Sequence, residues 1–327
     1  MPEAPSGPAA RRLAAQLERE QGIPVSEAVA ALAAELARRH GPAVAAVVFY
    51  GSCLRKRTTE GVLDFYVVVD DYRSAHASRA MALANAWLPP SVFYCEWPHA
   101  GETLRTKYAV ISTRDLLRGA SSRRIDCRIW ARFCQPLALA FARDEAARRA
   151  LIEAAVRSCL TFVERAWPAL PEQDGCQRFT AEALFQAGFA ETYRAELRSE
   201  RPETVRQLHA VDAPRYQAVA REALEALSAR GGIAVAETPA GFELRARTGE
   251  RRRARRAWRL RRPLAKVLAV AGLFKTAFTF GDWVPYVLWK VERHTAVRLE
   301  VSERQRRHPL IFGWPVILRV LREGIYR

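Results

Sequence analysis

The stretch Val48-Phe49-Tyr50-Gly51-Ser52, followed after eleven residues by Asp64-Phe65-Tyr66, decides the fold of the first part of the chain. Val44 to Tyr50 is an uninterrupted apolar run that stops at a glycine, the pattern of a buried strand entering a turn. Leu63 to Val69 is a second such run, interrupted only by Asp64. A strand that delivers Gly-Ser into a helix start offers backbone N–H groups and a hydroxyl to a phosphate, with glycine allowing close approach. A carboxylate on the neighbouring strand can then hold a Mg²⁺ ion that bridges phosphate oxygens. The same spacing also suits an ordinary strand and turn with a surface serine and an edge aspartate.

Working outward, Ser26 to His40 reads as an amphipathic helix with Ser26 as N-cap and Gly41 as stop, and Arg73 to Trp87 as another helix. Val92 to Trp97 and Tyr108 to Ile111 add two strands, giving a mixed α/β (α+β) domain over residues 1–140. Helical periodicity dominates Asp144 to Trp167 and Thr180 to Ser228. Ile233–Glu237 and Phe242–Ala246 then alternate around Thr238-Pro239-Ala240-Gly241, a hairpin signal. Residues 141–248 are therefore expected to form a helical, winged-helix-like domain, and 249–327 a basic, aromatic-rich segment.

The chain has 327 residues, half of them hydrophobic, so it is long enough for two domains and too apolar for wholesale disorder. The longest uncharged stretch, Ala80 to Cys95, is broken by Pro89-Pro90 and is too short for a spanning helix. The six cysteines form no CxxC pair, and the N-terminus has no signal pattern, which points to a reducing compartment. Of 52 basic and 35 acidic residues, 19 and 5 lie after position 250, so that segment carries +14 of the net +17. Such a tail calls for a polyanionic partner, either nucleic acid or an anionic lipid surface.

Polymerase-β-type nucleotidyltransferases share this Gly-Ser and downstream acid, but their usual second acid, two residues on, is Tyr66 here. Asp70 and Asp71 at the strand end, and Glu96 inside the apolar run Phe93-Tyr94-Cys95-Glu96-Trp97, are candidates to replace it at a metal held by Asp64. The missing acid has a chemical meaning. A hydroxyl acceptor must lose a proton as it attacks, whereas a phosphomonoester, with a second pKa of about 6, is already largely ionised and needs no base.

The segment resembles the mitochondrial translocator-assembly-and-maintenance family of phosphatidate cytidylyltransferases and their bacterial relatives. The resemblance runs through Tyr50-Gly51-Ser52, Leu63-Asp64-Phe65, Val69-Asp70-Asp71, His76 and Lys107-Tyr108-Ala109-Val110-Ile111-Ser112. It continues in Ile129-Trp130-Ala131-Arg132-Phe133-Cys134-Gln135-Pro136, covers most of residues 48–136 and thins out afterwards. It implies transfer of CMP from CTP to phosphatidic acid with a divalent metal, releasing pyrophosphate, by a protein that does not span the bilayer. It further implies that Tyr50, Gly51 and Ser52 bind the triphosphate, that Asp64 holds the metal, and that Lys107 and Arg132 neutralise phosphate charge. Cys53, Ala109 and Gln135 stand where the family usually has Gly, Gly and Lys, which bears on nucleotide identity and acceptor.

The leading expectation is a cytidylyltransferase peripheral on the inner membrane of a bacterial cytoplasm, or on the matrix side of a mitochondrion. The alternatives are a nucleotidyltransferase acting on RNA or a small molecule, and a non-catalytic binding protein on the same fold. The C-terminal composition favours a lipid surface over nucleic acid: Arg251 to Arg262 leads through Pro263 into Leu264 to Lys290, where Phe274, Phe278, Phe280, Trp283, Tyr286 and Trp289 alternate with aliphatic residues and lysines.

Overall fold

The computed structural model describes residues 6–196 and 210–279. Five strands make one mixed sheet in the order β3-β4-β2-β1-β5: β1 (Val44–Tyr50), β2 (Val62–Val69), β3 (Ser91–His99), β4 (Glu102–Ser112) and β5 (Leu137–Ala142). The β2–β4 pair is parallel and the other pairs are antiparallel. β1 lacks polar alternation because both sheet faces are covered. Val47, Phe49, Leu63, Phe65 and Val67 pack on one side with Val29, Leu32 and Leu36 of α2 (Glu27–His40). Ser26 caps α2 by accepting from the Val29 N–H at 3.4 Å, and Gly41 ends it at φ +69°.

The helix expected over Arg73 to Trp87 is split into α4 (Tyr72–Ala75) and α5 (Arg79–Trp87), after the short α3 (Ser52–Lys56). Two competing caps cause the break. Asp71 accepts from the Ser74 N–H at 2.8 Å, and Ser78 accepts from the Met81 N–H at 3.4 Å, so the intervening residues leave the helical path.

The other sheet face carries α1 (Pro8–Gln21), α8 (Glu145–Ala166), α9 (Ala181–Glu196) and α10 (Ala213–Ala229), with α6 (Thr113–Gly119) and α7 (Trp130–Phe133) between. A second sheet, β6-β8-β7, is formed by β6 (Gln177–Phe179), β7 (Ile233–Thr238) and β8 (Gly241–Ala246), the last two being the expected hairpin. Gly241 turns it at φ +131°, where a Cβ would lie 2.4 Å from the Phe179 carbonyl oxygen.

α11 (Glu250–Thr279) carries Pro263 within it, so the basic run and the start of the apolar run form one helix. It is not a detached tail. Trp258 is buried, donates its indole N–H to the Arg165 carbonyl at 2.9 Å and meets Trp130 edge-on. The interfacial aromatics expected at Phe280, Trp283, Tyr286 and Trp289 lie outside the described residues. One hydrophobic cluster joins Val48 and Tyr66 of the sheet, Leu13 of α1, Phe162 of α8, Tyr216 of α10 and Trp258, so the three segments drawn from sequence share a core. No helix among the described residues is long and apolar enough to cross a membrane. All six cysteines are free, and Cys53, Cys127, Cys134, Cys159 and Cys176 are buried.

His76 is a structural residue. Its Nε2 faces the Asn85 amide nitrogen at 3.2 Å and therefore accepts, which requires a neutral ring. Burial, with His40 and Lys275 nearby, pushes its pKa down to about 4. Since the unfolded chain binds the proton first, stability is expected to fall as pH drops from about 6.5 to 4, by on the order of 2 kcal/mol. Urea denaturation at neutral pH and near pH 4.5 checks this, and His76→Gln, which keeps an acceptor but does not titrate, should reduce the difference to the part contributed by His40, whose pKa burial also lowers, and by other groups.

Candidate functional site

The pairing register builds the site. Tyr50 lies opposite Asp64, Asp64 opposite Lys107 and Lys107 opposite Tyr94, so one row of side chains crosses β1, β2, β4 and β3 on a single face. The Lys107 ammonium sits 2.9 Å from an Asp64 carboxylate oxygen, with both side chains partly exposed. Gly51, at φ +91° and ψ −160°, occupies backbone space essentially restricted to glycine. A Cβ there would stand 2.8 Å from the other Asp64 oxygen. Gly51 thus lets the carboxylate lie directly against the turn, beside the exposed Ser52 that starts α3.

Arg132 borders this row from the helical side. Burial works against its charge, but the Glu196 carboxylate, at 3.1 Å, outweighs it and holds the guanidinium ionised. Arg128 pairs beside it with Asp126 at 2.7 Å, and Gly272 of α11 packs so closely that a Cβ would fall 2.9 Å from an Arg128 nitrogen. Three residues on, Lys275 donates to the Leu88 and Pro90 carbonyls and to Ser91 Oγ at 3.1 Å, and burial pushes its ammonium down to about 7. α11 therefore spans from the hairpin to the edge of the large sheet.

The expected replacements for the second acid are not brought to Asp64. Asp70 lies six residues along β2, roughly 20 Å away, where Arg143 binds it at 2.6 Å. Asp71 caps α4. Glu96 is exposed on β3, two strand spacings or roughly 10 Å across the sheet from β2, and accepts from the Tyr94 hydroxyl at 2.8 Å. Tyr66 itself is buried between Tyr50, tilted against it, and Phe133, which it meets edge-on, with ring centroids 5.0 Å from each. Its position belongs to the core. Among the described residues no three His, Cys, Asp or Glu side chains cluster as a metal site. Asp64 fits a hard cation only as a single carboxylate completed by phosphate oxygens and water, a donor set Mg²⁺ accepts.

One residue at the turn escaped the motif reading. Arg55, three positions after Ser52 and so on the same face of α3, donates to Gln135 Oε1 at 3.0 Å. Gln135 also donates to the Ala131 carbonyl at 2.7 Å. A cation therefore reaches this side of the turn from α3, while residue 135 steadies it. The signal was present as Gly-Ser-x-x-Arg, but only the contact with Gln135 gives the arginine a direction. Cys53 points away, its thiol 3.3 Å from the Val62 carbonyl in the core between β2 and α3.

No family model matches the chain, and no curated protein matches it.

Gly51→Ala should cost about 1–3 kcal/mol from backbone strain alone, with a further penalty from the Asp64 contact. Asp64→Ala in the same chain removes the contact but not the strain. Urea denaturation of the two single variants and the double variant should therefore give a favourable coupling, and strict additivity would show that the carboxylate does not press on the turn.

Proposed function

We propose that the protein is a CTP:phosphatidate cytidylyltransferase, working as a peripheral protein on an anionic membrane at the cytoplasmic face of a bacterial inner membrane. The observation that carries this reading is the Gly51–Asp64 contact with Lys107 in register and a buried tyrosine where a second carboxylate would stand. The order α8-β6-α9-α10-β7-β8, with β6 and β7 flanking β8, agrees with the winged-helix reading of the second part.

In this reading the triphosphate lies along the Gly51–Ser52 turn. The Ser52 hydroxyl and the local backbone N–H groups hold its oxygens, while Arg55 and Lys107 neutralise it from two sides. A Mg²⁺ ion held through Asp64 supplies Lewis-acid stabilisation of charge on the phosphates. The phosphatidate oxygen attacks the α-phosphorus, a new P–O bond forms, the bond to the β-phosphate breaks, and pyrophosphate leaves. No proton has to be removed from the acceptor, so no base is needed at position 66, and a metal would have Asp64 as its one protein carboxylate. Arg132, expected on the phosphates, and Arg128 are already paired with Glu196 and Asp126, so they would act on a substrate through their field and not by direct contact.

The test is incubation of the full chain with labelled CTP, Mg²⁺ and vesicles containing phosphatidic acid, followed by lipid extraction. Asp64→Asn should lower kcat/KM by about a thousandfold, equivalent to about 4 kcal/mol, while Ser52→Ala should cost less because the backbone donors remain. Diacylglycerol, which would need a base, should not be labelled. Label appearing on RNA ends or on a soluble acceptor instead would favour a nucleotidyltransferase of different acceptor class, and no turnover with any nucleotide would favour a binding protein.

A further inference from the structure

The exposed surface of α11 changes character along its axis. Its first turns, with the end of β8 and the segment before β6, line an open cavity of about 680 Å³ whose walls carry Arg247, Arg252, Arg255, Arg256 and Arg259 together with one carboxylate, Glu172. The last four recur at the spacing of one helical face. Arg251 also borders the cavity but is committed, donating to the Leu170 carbonyl at 2.7 Å and lying 3.5 Å from Glu172. None of the other five forms an ion pair with a described residue; such unpaired arginines occur elsewhere on the surface too, but here five border one space. Five guanidinium groups around one space repel one another, and the positive end of α11 adds to the same field. A ligand with several anionic oxygens relieves that repulsion and matches the planar donor fork of arginine.

The next turns of the same helix show what kind of ligand fits. Leu260, Leu264, Val267 and Val270 are 72%, 50%, 65% and 42% exposed. A soluble polyanion such as RNA would leave them in water. A bilayer satisfies both halves at once, with lipid phosphates at the arginines and aliphatic side chains in the acyl boundary. A monoester phosphate, with more charge and three free oxygens, fits a five-arginine cavity better than a diester.

We propose that this cavity is a second phosphate site, separate from the Gly51–Asp64 turn, that takes the phosphomonoester headgroup of an anionic lipid and sets the orientation of the protein on the membrane. The membrane part of this inference rests on the reading under Proposed function.

The experiment uses the full chain and phosphatidylcholine vesicles carrying either phosphatidate or enough phosphatidylserine to match surface charge. Wild type should sediment preferentially with phosphatidate. Arg255→Gln with Arg259→Gln should weaken that binding by about tenfold or more, while Arg253→Gln, on the same helix but outside the cavity, should change it little. These side chains are exposed, and thermal melting checks that each variant keeps its fold. Equal losses in both variants, or equal binding of the two vesicle types by wild type, would overturn the site in favour of diffuse attraction. Inorganic phosphate protecting against thermal unfolding as strongly as vesicles would assign it to a free phosphate, and a loss seen on RNA but not on vesicles would assign it to nucleic acid. Turnover with a short-chain, water-soluble phosphatidate separates the two readings. The double variant should match wild type there, and if wild type makes no product, the reaction fails while the vesicle comparison still decides the cavity.

Discussion

The register that sets Tyr50 against Asp64 is the constraint on which the rest depends. Strand side chains alternate between faces, so a shift of one residue would turn Phe49 and Phe65 out of one core and Tyr66 out of the other. The β1–β2 ladder shifts by one residue between Val44 and Ala46, but from Ala46 to Tyr50 its pairing runs without interruption. That same register places Asp64 against the Gly51 turn and, through the parallel pairing of β2 with β4, delivers Lys107 beside it. Packing thus fixes the polar row, and the polar groups need contribute little stability of their own.

How far the sequence showed this differs from element to element. β1 was legible to the residue because its seven-residue apolar run is cut off by a glycine, and α2 because Ser26 and Gly41 mark both ends. The hairpin of β7 and β8 announced itself through local alternation around Pro239 and Gly241. The break between α4 and α5 did not, since whether Ser78 caps a new helix or sits inside an old one depends on where His76 is buried. Mixed architecture could be inferred locally, but the parallel pairing of β2 with β4 is a choice among distant partners that no local pattern records.

The site divides in the same way. Gly51, Ser52 and Asp64 were visible because a short-range motif carries them, and Lys107 only through the family resemblance, since its partner Asp64 is set by the pairing of β2 with β4. Asp70 was a candidate by its nearness to Asp64 in sequence and Glu96 as an acid inside an apolar run, yet strand geometry sends one just past the far end of β2 and the other to a neighbouring row. Arg55 was hidden among many arginines until its contact with Gln135 gave it a direction. Tyr66 carried a chemical message in the sequence as a missing acid. In the fold it carries a second one, since its ring fills the space between Tyr50 and Phe133.

β3 is a nine-residue strand at one edge of the large sheet, and such edges invite strand pairing between molecules. Here Pro98 and the charged Glu96 interrupt its outer half, and the far end of α11 lies against it, fastened by Lys275 to the residues just before the strand. The most cationic helix among the described residues is therefore also a guard against fibril-like association. Shortening the protein before residue 250 would remove its positive field and, in the same cut, bare an adhesive edge, so solubility and surface charge are coupled through one element of the fold.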